Sequence, residues 1–308
     1  MHYYSSMQVS IIIVNYNTKE LLNNCLKSIY KYTKDIDFEI IVSDNGSTDN
    51  SISMLKTEFP QVVIVDNGKN LGFGAANNKG LEIAKGKYIF YLNSDTLILN
   101  NAVKIFYDYF EANDNGKLGA LGANLLNANN QVIHSYESFP GLKTAFKELF
   151  KMSVTNFILS CLYILHISPN KFVPSHRADF FVGNVDFITG ADIFMKNNDD
   201  ARFDEDFFLY FEDTDLNKRL CDKDKERQII DGPLIQHLCG GSVGSNYTIK
   251  RKATFSRIQF ELSRVLYLRK HSNSKTGIFL VKVLITLIWL NPFLLKNTKK
   301  FIKELWTI

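Results

Sequence analysis

Between residues 9 and 92, four short apolar runs alternate with segments of helical periodicity, and each run ends in a polar turn or a glycine. Residues 9–14 are β-branched and lead into Asn15-Tyr16-Asn17. Thr18 then stands where a helix cap belongs, ahead of Leu21, Leu22, Cys25, Leu26 and Ile29 on one helical face. Residues 38–42 form a second run, closed by Ser43-Asp44-Asn45-Gly46-Ser47, with Ser47 or Asp49 placed to cap a helix carrying Ile52, Met54 and Leu55. Residues 62–65 are a third run, followed by a glycine turn at 70–74 and a small-residue helix over 75–84. Residues 88–92 are the fourth, ending in Asn93-Ser94-Asp95. Strands this short and apolar, separated by helices, predict an α/β fold with a largely parallel sheet covered on both faces. In open α/β sheets the ligand crevice lies outside the carboxyl ends of the strands. Asn15, Asn17, Asp44, Asn45 and Asp95 should therefore converge on one cleft suited to a polar small molecule.

The second half is less regular. Residues 154–167 are apolar but too few to span a bilayer as a helix. Residues 180–195 read as strands around Thr189-Gly190-Ala191, residues 203–220 are rich in aromatics and acids, and residues 235–245 form a glycine-rich loop containing His237. From residue 246 the chain is basic and helical in pattern, with an apolar run over 277–295. With 45% hydrophobic residues in 308, a disordered tail, a collagen-like repeat and a small disulfide scaffold are excluded. Lys and Arg number 36 against 32 Asp and Glu, an excess too small to argue for nucleic acid, and no such partner is expected. The four cysteines, Cys25, Cys161, Cys221 and Cys239, are scattered, which speaks against a structural zinc and for a reducing compartment. Residues 1–10 lack the features of a signal peptide, so the expected location is the cytoplasm.

Several residues admit two readings. Asp95, at the mouth of a buried strand, suits a hard divalent cation completed by water and phosphate oxygens, or an N-cap for a helix after Thr96. Asp44 suits a base or ribose, or an Asx-turn. Gly72, Gly74 and Gly80 fall short of a dinucleotide fingerprint, which would need glycine where Asn77 stands. In residues 203–216, carboxylates interleave with aromatics. They supply a general base tuned by partial burial, or acids that favour a helix N-terminus. His237, ahead of Gly240-Gly241-Ser242, is a metal or phosphate contact or an ordinary structural histidine.

Taken in order, these pieces resemble family 2 glycosyltransferases, particularly a rhamnosyltransferase-like branch of bacterial surface-polysaccharide enzymes. The resemblance rests on VSIIIVNYN at 9–17, VSDNGSTD at 42–49, NLGFGAANN at 70–78, LNSD at 92–95, TGA at 189–191, FEDTDL at 211–216 and HLCGGS at 237–242. It implies a GT-A fold, a Rossmann-like mostly parallel sheet flanked by helices, with a helical C-terminal extension. The transferase domain would cover 1–245, its nucleotide-sugar half about 8–100 and its acceptor half about 101–245, leaving 246–308 as the extension. By the same resemblance, Asn15, Asn17, Asp44, Asn70, Asn77 and Asn93 would hold the nucleotide. Asp95 would hold Mg²⁺ or Mn²⁺ on the diphosphate, and His237 would touch that metal or the diphosphate. Asp213 would be the catalytic base, with Thr189, Gly190, Ala191, Tyr210 and Glu212 around the sugar or acceptor. One departure is that the DxD motif reads Asn93-Ser94-Asp95, with one carboxylate missing.

The implied reaction is inverting transfer from dTDP-rhamnose or a UDP-hexose to a hydroxyl of a glycan or polyprenyl-diphosphate-linked acceptor. A nicotinamide oxidoreductase would use the same strand-end crevice, but the missing third glycine and the FEDTD stretch speak against it. A catalytically silent sugar-nucleotide-binding protein is the other rival, against which both Asp95 and Asp213 argue. The run 277–295 is interrupted by Lys282 and Pro292 and has basic residues on both sides. A spanning helix should show charge asymmetry, so helices lying in the membrane interface with lysines toward anionic lipid are expected, at the inner face of the cell membrane. Packing on the core or at a homodimer contact is the alternative for the same helices.

Overall fold

The computed structural model of the chain describes residues 7–164, 178–238, 255–290 and 298–308. Cys239, the glycines after Leu238, the basic cluster at 250–252 and the end of the 277–295 run lie outside the described residues. Two compact units emerge, one of Met1–Phe139, His176–Phe208 and Glu212–Ser245, the other of Pro140–Ser175, Leu209–Phe211 and Asn246–Ile308.

In chain order the elements are β1 (Val9–Asn15), α1 (Lys19–Tyr32), β2 (Phe38–Asp44), α2 (Ser51–Glu58), β3 (Val63–Asp66), α3 (Phe73–Leu81), β4 (Tyr88–Leu92), β5 (Thr96–Ile98), α4 (Ala102–Asn113), β6 (Leu118–Leu126) and β7 (Tyr136–Glu137). There follow α5 (Leu142–Ile164), β8 (Gly183–Asn184), β9 (Phe187–Ile188), β10 (Asp192–Lys196), α6 (Glu212–Asp222), β11 (Glu226–His237), α7 (Phe255–His271), α8 (Lys275–Trp289) and α9 (Thr298–Thr307).

The first unit is built on a sheet of order β3-β2-β1-β4-β10-β6-β11-β5, with β8 paired to β11. Strands β3, β2, β1 and β4 are parallel, β10 runs against both β4 and β6, and β11 is parallel to β6. The carboxyl ends of six strands therefore share one edge with the amino end of β10. The apolar runs form strands because both faces are covered. Ile11 and Ile13 enter one core with Leu22, Leu26 and Ile29 of α1 and Phe106 and Phe110 of α4. Ile12, pointing the other way, enters a second core with Phe203 and with Leu216 and Leu220 of α6.

Three local expectations are corrected. No helix follows Thr96; the chain enters β5, which pairs with β11, so Asp95 is not a helix cap. Thr18 occupies the cap position of α1, but its hydroxyl is drawn to Asn15 and Ser94 and caps nothing. The cap position of α2 falls to Asn50, left-handed and without a side-chain cap bond, while Asp49 Oδ1 accepts from the first helix N–H, Ser51 N, at 3.1 Å, so that Ser47 is the cap candidate set aside.

The second unit joins α5, α7, α8 and α9 around Leu149, Val265, Val281, Ile285, Phe301 and Leu305. Buried Arg264 is neutralised by Glu148 at 2.8 Å and Glu261 at 3.5 Å. Gly277 lets α8 approach α5 closely, since a Cβ there would lie 2.6 Å from Leu142. No helix among the described residues is long and apolar enough to cross a membrane.

Candidate active site

β1 and β2 end side by side, with Asn15 opposite Asp44. Asn15 Nδ2 donates to Asp44 Oδ2 at 2.6 Å and to Ser47 Oγ at 3.0 Å, and its Oδ1 accepts from Thr18 Oγ1 at 2.7 Å. Asp44 Oδ1 accepts from the Ser47 N–H at 2.8 Å. Both Asn15 and Asp44 are fully buried. In this structure their side chains brace the loops that follow the two strand ends. Asn17 stands on the exposed side of that loop in a left-handed conformation (φ 55°) that asparagine tolerates. Its Oδ1 accepts from Thr48 N at 2.7 Å.

A second turn locks onto the first. Asn45 Nδ2 donates to Gly72 O at 3.0 Å and Asn70 Oδ1 at 3.3 Å, while Asn70 Oδ1 also accepts from Gly72 N at 2.9 Å. Gly72 has φ 90°, and a Cβ on it would lie 2.2 Å from Phe208 O, so only glycine fits. Asn77 is buried, and its Nδ2 donates to Phe73 O at 3.2 Å. Its neighbour Asn78, missed in the sequence, clamps both the N–H and the carbonyl of Phe203 at 2.9 Å and so holds the acidic aromatic segment against α3.

Beyond β4 the chain turns through Asn93-Ser94-Asp95. Asn93 N donates to Ala191 O at 3.0 Å, its carbonyl accepts from Thr96 Oγ1 at 2.8 Å, and Ser94 Oγ lies 2.9 Å from Thr18 Oγ1. Cys25 packs beneath this turn, where burial pushes its thiol up to about 12, so it stays protonated and unreactive. Because β5 pairs with β11, His237 sits opposite Thr96 and brings Nε2 within 3.2 Å of Asp95 Oδ1. Among the described residues no three His, Cys, Asp or Glu gather as a metal cage. One carboxylate and one imidazole suit a hard divalent cation when phosphate oxygens and water complete its shell. The donor set fits a metal carried on a diphosphate.

At the same edge, the Gly190–Ala191 step connects two acids. Ala191 O takes the Asn93 N–H, and Gly190 N donates to Asp213 Oδ2 at 2.8 Å. Asp213 Oδ1 accepts from Thr214 N at 2.7 Å. A Cβ at Gly190 would lie 3.3 Å from Asp213 Cβ, so glycine permits this close approach. Asp213 is half-buried, whereas Glu212 beside it is buried with no hydrogen-bond partner on Oε2. Burial raises the pKa of both. Glu212 rises further because the Asp213 charge adds to the cost of its own, while the Gly190 and Thr214 donors favour ionised Asp213. The two neighbouring acids thus differ in proton affinity, with Glu212 holding its proton more tightly than Asp213. Asp215 is tied to Arg219 Nε at 2.8 Å and holds α6 together.

Two further expected pocket residues have partners of their own. Thr189 is anchored through its N–H and hydroxyl to Ser135 O, at 3.0 and 3.3 Å. Tyr210 belongs to the second unit, where its ring meets Phe260 edge-on at 5.6 Å. Tyr210 and Phe211 both have left-handed backbones (φ 69° and 66°), an arrangement costing about 1–2 kcal/mol for each such residue. Asp192 was missed. It opens β10, fully buried, with Oδ2 accepting from Ala123 N at 2.7 Å and Oδ1 unpartnered. Burial holds its pKa well above the carboxylate range. An aspartate directly ahead of the apolar Ile193-Phe194-Met195 run was the signal available.

Residues 10–159 match the profile described as Glycosyl transferase family 2. The chain is 37% identical over 112 residues to the poly(ribitol-phosphate) beta-glucosyltransferase of Bacillus spizizenii, a match covering 35% of this chain and 18% of that protein. It is 32% identical over 123 residues to the poly(ribitol-phosphate) beta-N-acetylglucosaminyltransferase TarP of Staphylococcus aureus, covering 37% and 38% of the two chains. The matched part is thus well under half of either relative. The crystal structure of S. aureus TarS in complex with UDP-GlcNAc superposes with a TM-score of 0.55 at 14% identity, covering 92% of this chain and 71% of that one. The mannosyltransferase PcManGT of Pyrobaculum calidifontis, in complex with GDP-Man and Mn²⁺, gives 0.54 at 13% identity, covering 99% and 74%. By its sheet order and strand-end motifs the chain has the GT-A fold, and within it residues 10–159 match glycosyl transferase family 2.

Proposed function

We propose that the protein is an inverting glycosyltransferase. It would move a sugar from a nucleoside-diphosphate sugar to a hydroxyl of a glycan or polyprenyl-diphosphate-linked acceptor in cell-surface polysaccharide synthesis. The observation that carries this reading is the Asp213 carboxylate held by the Gly190 N–H, one backbone step from the Asn93-Ser94-Asp95 turn. The names of the similar proteins favour a UDP-hexose or UDP-N-acetylhexosamine donor, with dTDP-rhamnose as the alternative.

In this proposal the loops braced by Asn15, Asp44 and Asn70 receive the base and ribose, with Asn17 and the Asn93 turn on the ligand side. Asp95 and His237 would hold Mg²⁺ or Mn²⁺, which when bound supplies Lewis-acid neutralisation of the departing diphosphate. Asp213 accepts the proton of the acceptor hydroxyl as its oxygen attacks the anomeric carbon. The C–O bond to the sugar forms as the bond to the diphosphate breaks, and the configuration inverts. Glu212 keeps its proton and can donate a hydrogen bond to a sugar or acceptor oxygen without adding a second negative charge beside Asp213.

The test is incubation with a panel of nucleotide sugars and Mn²⁺, using ribitol phosphate oligomers and polyprenyl-diphosphate sugars as acceptors. Proton NMR then reads the anomeric centre of the product. Inversion is expected. Retained configuration, or no acceptor-dependent release of nucleoside diphosphate from any donor, overturns the proposal.

A further inference from the structure

Helix α8 is apolar on two opposite faces, and among the described residues only one of them is buried. Gly277, Ile278, Val281, Ile285, Ile288 and Trp289 are buried against the other helices of the second unit. On the opposite side Phe279, Leu280, Leu287 and Leu290 are 54%, 47%, 62% and 54% exposed, with half-buried Val283 between them. At 3.6 residues per turn these five fall within an arc of about 100° centred opposite the buried face. A helix that is apolar all round is expected to be covered all round. The exposed stripe is not scattered surface leucine; it is a second contact face.

The neighbouring helix supplies charge to the rim of that stripe. On α9, Lys299, Lys303 and Trp306 recur at helical spacing and are all exposed, with Lys300 beside them. The Trp306 ring packs edge-on to Phe279 at 5.6 Å, and Lys282 Nζ lies 5.8 Å from the same ring. Lys275 opens α8, and α8 carries no acid. An apolar strip edged by a tryptophan and lysines matches a headgroup layer, where indole rings sit at the boundary and lysines reach anionic phosphates. Fifteen residues of α8 span only about 22 Å, short of the roughly 30 Å hydrocarbon core. Lying flat is the geometry left.

We propose that the outer faces of α8 and α9 form a docking surface for an anionic lipid bilayer, with Phe279, Leu280, Leu287 and Leu290 entering the headgroup–acyl boundary and Lys299, Lys300 and Lys303 meeting lipid phosphate. The inference does not rest on the transfer chemistry, and its test reads no turnover.

The full chain is floated with vesicles of equal parts phosphatidylcholine and phosphatidylglycerol, and separately with phosphatidylcholine alone. The protein is expected to rise with the anionic vesicles, to rise much less with the neutral ones, and to be released as salt is raised. The chain has two tryptophans, and Trp289 is already buried, so a blue shift of fluorescence on adding anionic vesicles reports Trp306 entering the interface. Lys299→Gln and Lys303→Gln should each weaken binding about fivefold. The double variant Phe279→Ser, Leu287→Ser should abolish it, with far-UV circular dichroism and the melting temperature showing that the exposed positions leave folding intact. Protein that stays at the bottom with anionic vesicles at low salt, with no blue shift, overturns the proposal. So does a dimeric mass by light scattering in the native chain that becomes monomeric in the serine variant, because the stripe would then belong to a second copy of the chain.

Discussion

Two groups of buried polar residues share the carboxyl edge of the sheet, and they are built on opposite principles. Around β1 and β2, both oxygens of Asp44 and the whole Asn15 amide are matched by Ser47, Thr18 and each other. Around β10 and α6, Asp192 Oδ1 and Glu212 Oε2 are buried with no partner among the described residues, and Asp192, Glu212 and Asp213 are all raised by burial. A fully satisfied network fixes one geometry, while an under-satisfied acid is costly to keep and marks where proton affinity has been tuned. On the proposed function, the first group shapes the loops and the second carries the chemistry.

The largest expected effect lies in the second group. Asp213→Asn should lower transfer by about 10²–10⁴-fold while the calorimetric dissociation constant for nucleoside diphosphate stays put. Equal loss of binding and turnover would dissolve the contrast. In the first group Asp44→Ala should strand the Asn15 amide and the Ser47 N–H, costing about 1–3 kcal/mol in denaturant melts and weakening nucleotide binding together with stability. A variant of normal stability and binding that failed only in turnover would move Asp44 into the reacting group.

Gly190→Ala is a milder probe. The added methyl presses on Asp213 at 3.3 Å and should displace it by a few tenths of an ångström. A fall of about tenfold in kcat with little change in KM is expected, since misplacement by about 1 Å can cost a hundredfold. The smallest effect is on stability against pH. Folded Glu212 holds a proton that the unfolded chain releases near pH 4.5. The stability from that protonation is whole below pH 4.5 and is lost as pH rises toward the raised value. Glu212→Gln cannot ionise and should flatten the decline of melting temperature above pH 4.5; an unchanged decline would mean that Glu212 is ionised in the native fold.

Much of this was legible in residue order, for a physical reason. β-branched runs such as residues 9–14 become strands because both faces are buried, and the polar residues after them collect at one edge because parallel strands end together. The meeting of Asp95 with His237 was suggested only by family resemblance, because the antiparallel β5–β11 pairing that creates it is a long-range contact with no local signature. Thr18 looked like a helix cap by position, yet tertiary partners at Asn15 and Ser94 outbid the helix N–H groups for its hydroxyl. Asp192 and Asn78 escaped notice because each sits within a strand or helix that reads as core, and their meaning lies in what they touch across the fold. Burial of Asn15, Asp44 and Asn77 was likewise invisible in sequence, where a polar residue after a strand looks the same whether it faces ligand or braces a loop.

The most direct test of the site is a structure of the chain with an intact nucleoside-diphosphate sugar bound. The expected result is a diphosphate against Asp95 and His237, with the anomeric carbon open to an acceptor hydroxyl that Asp213 can reach. A donor seated away from the carboxyl edge, or an anomeric carbon walled off from Asp213, would contradict it.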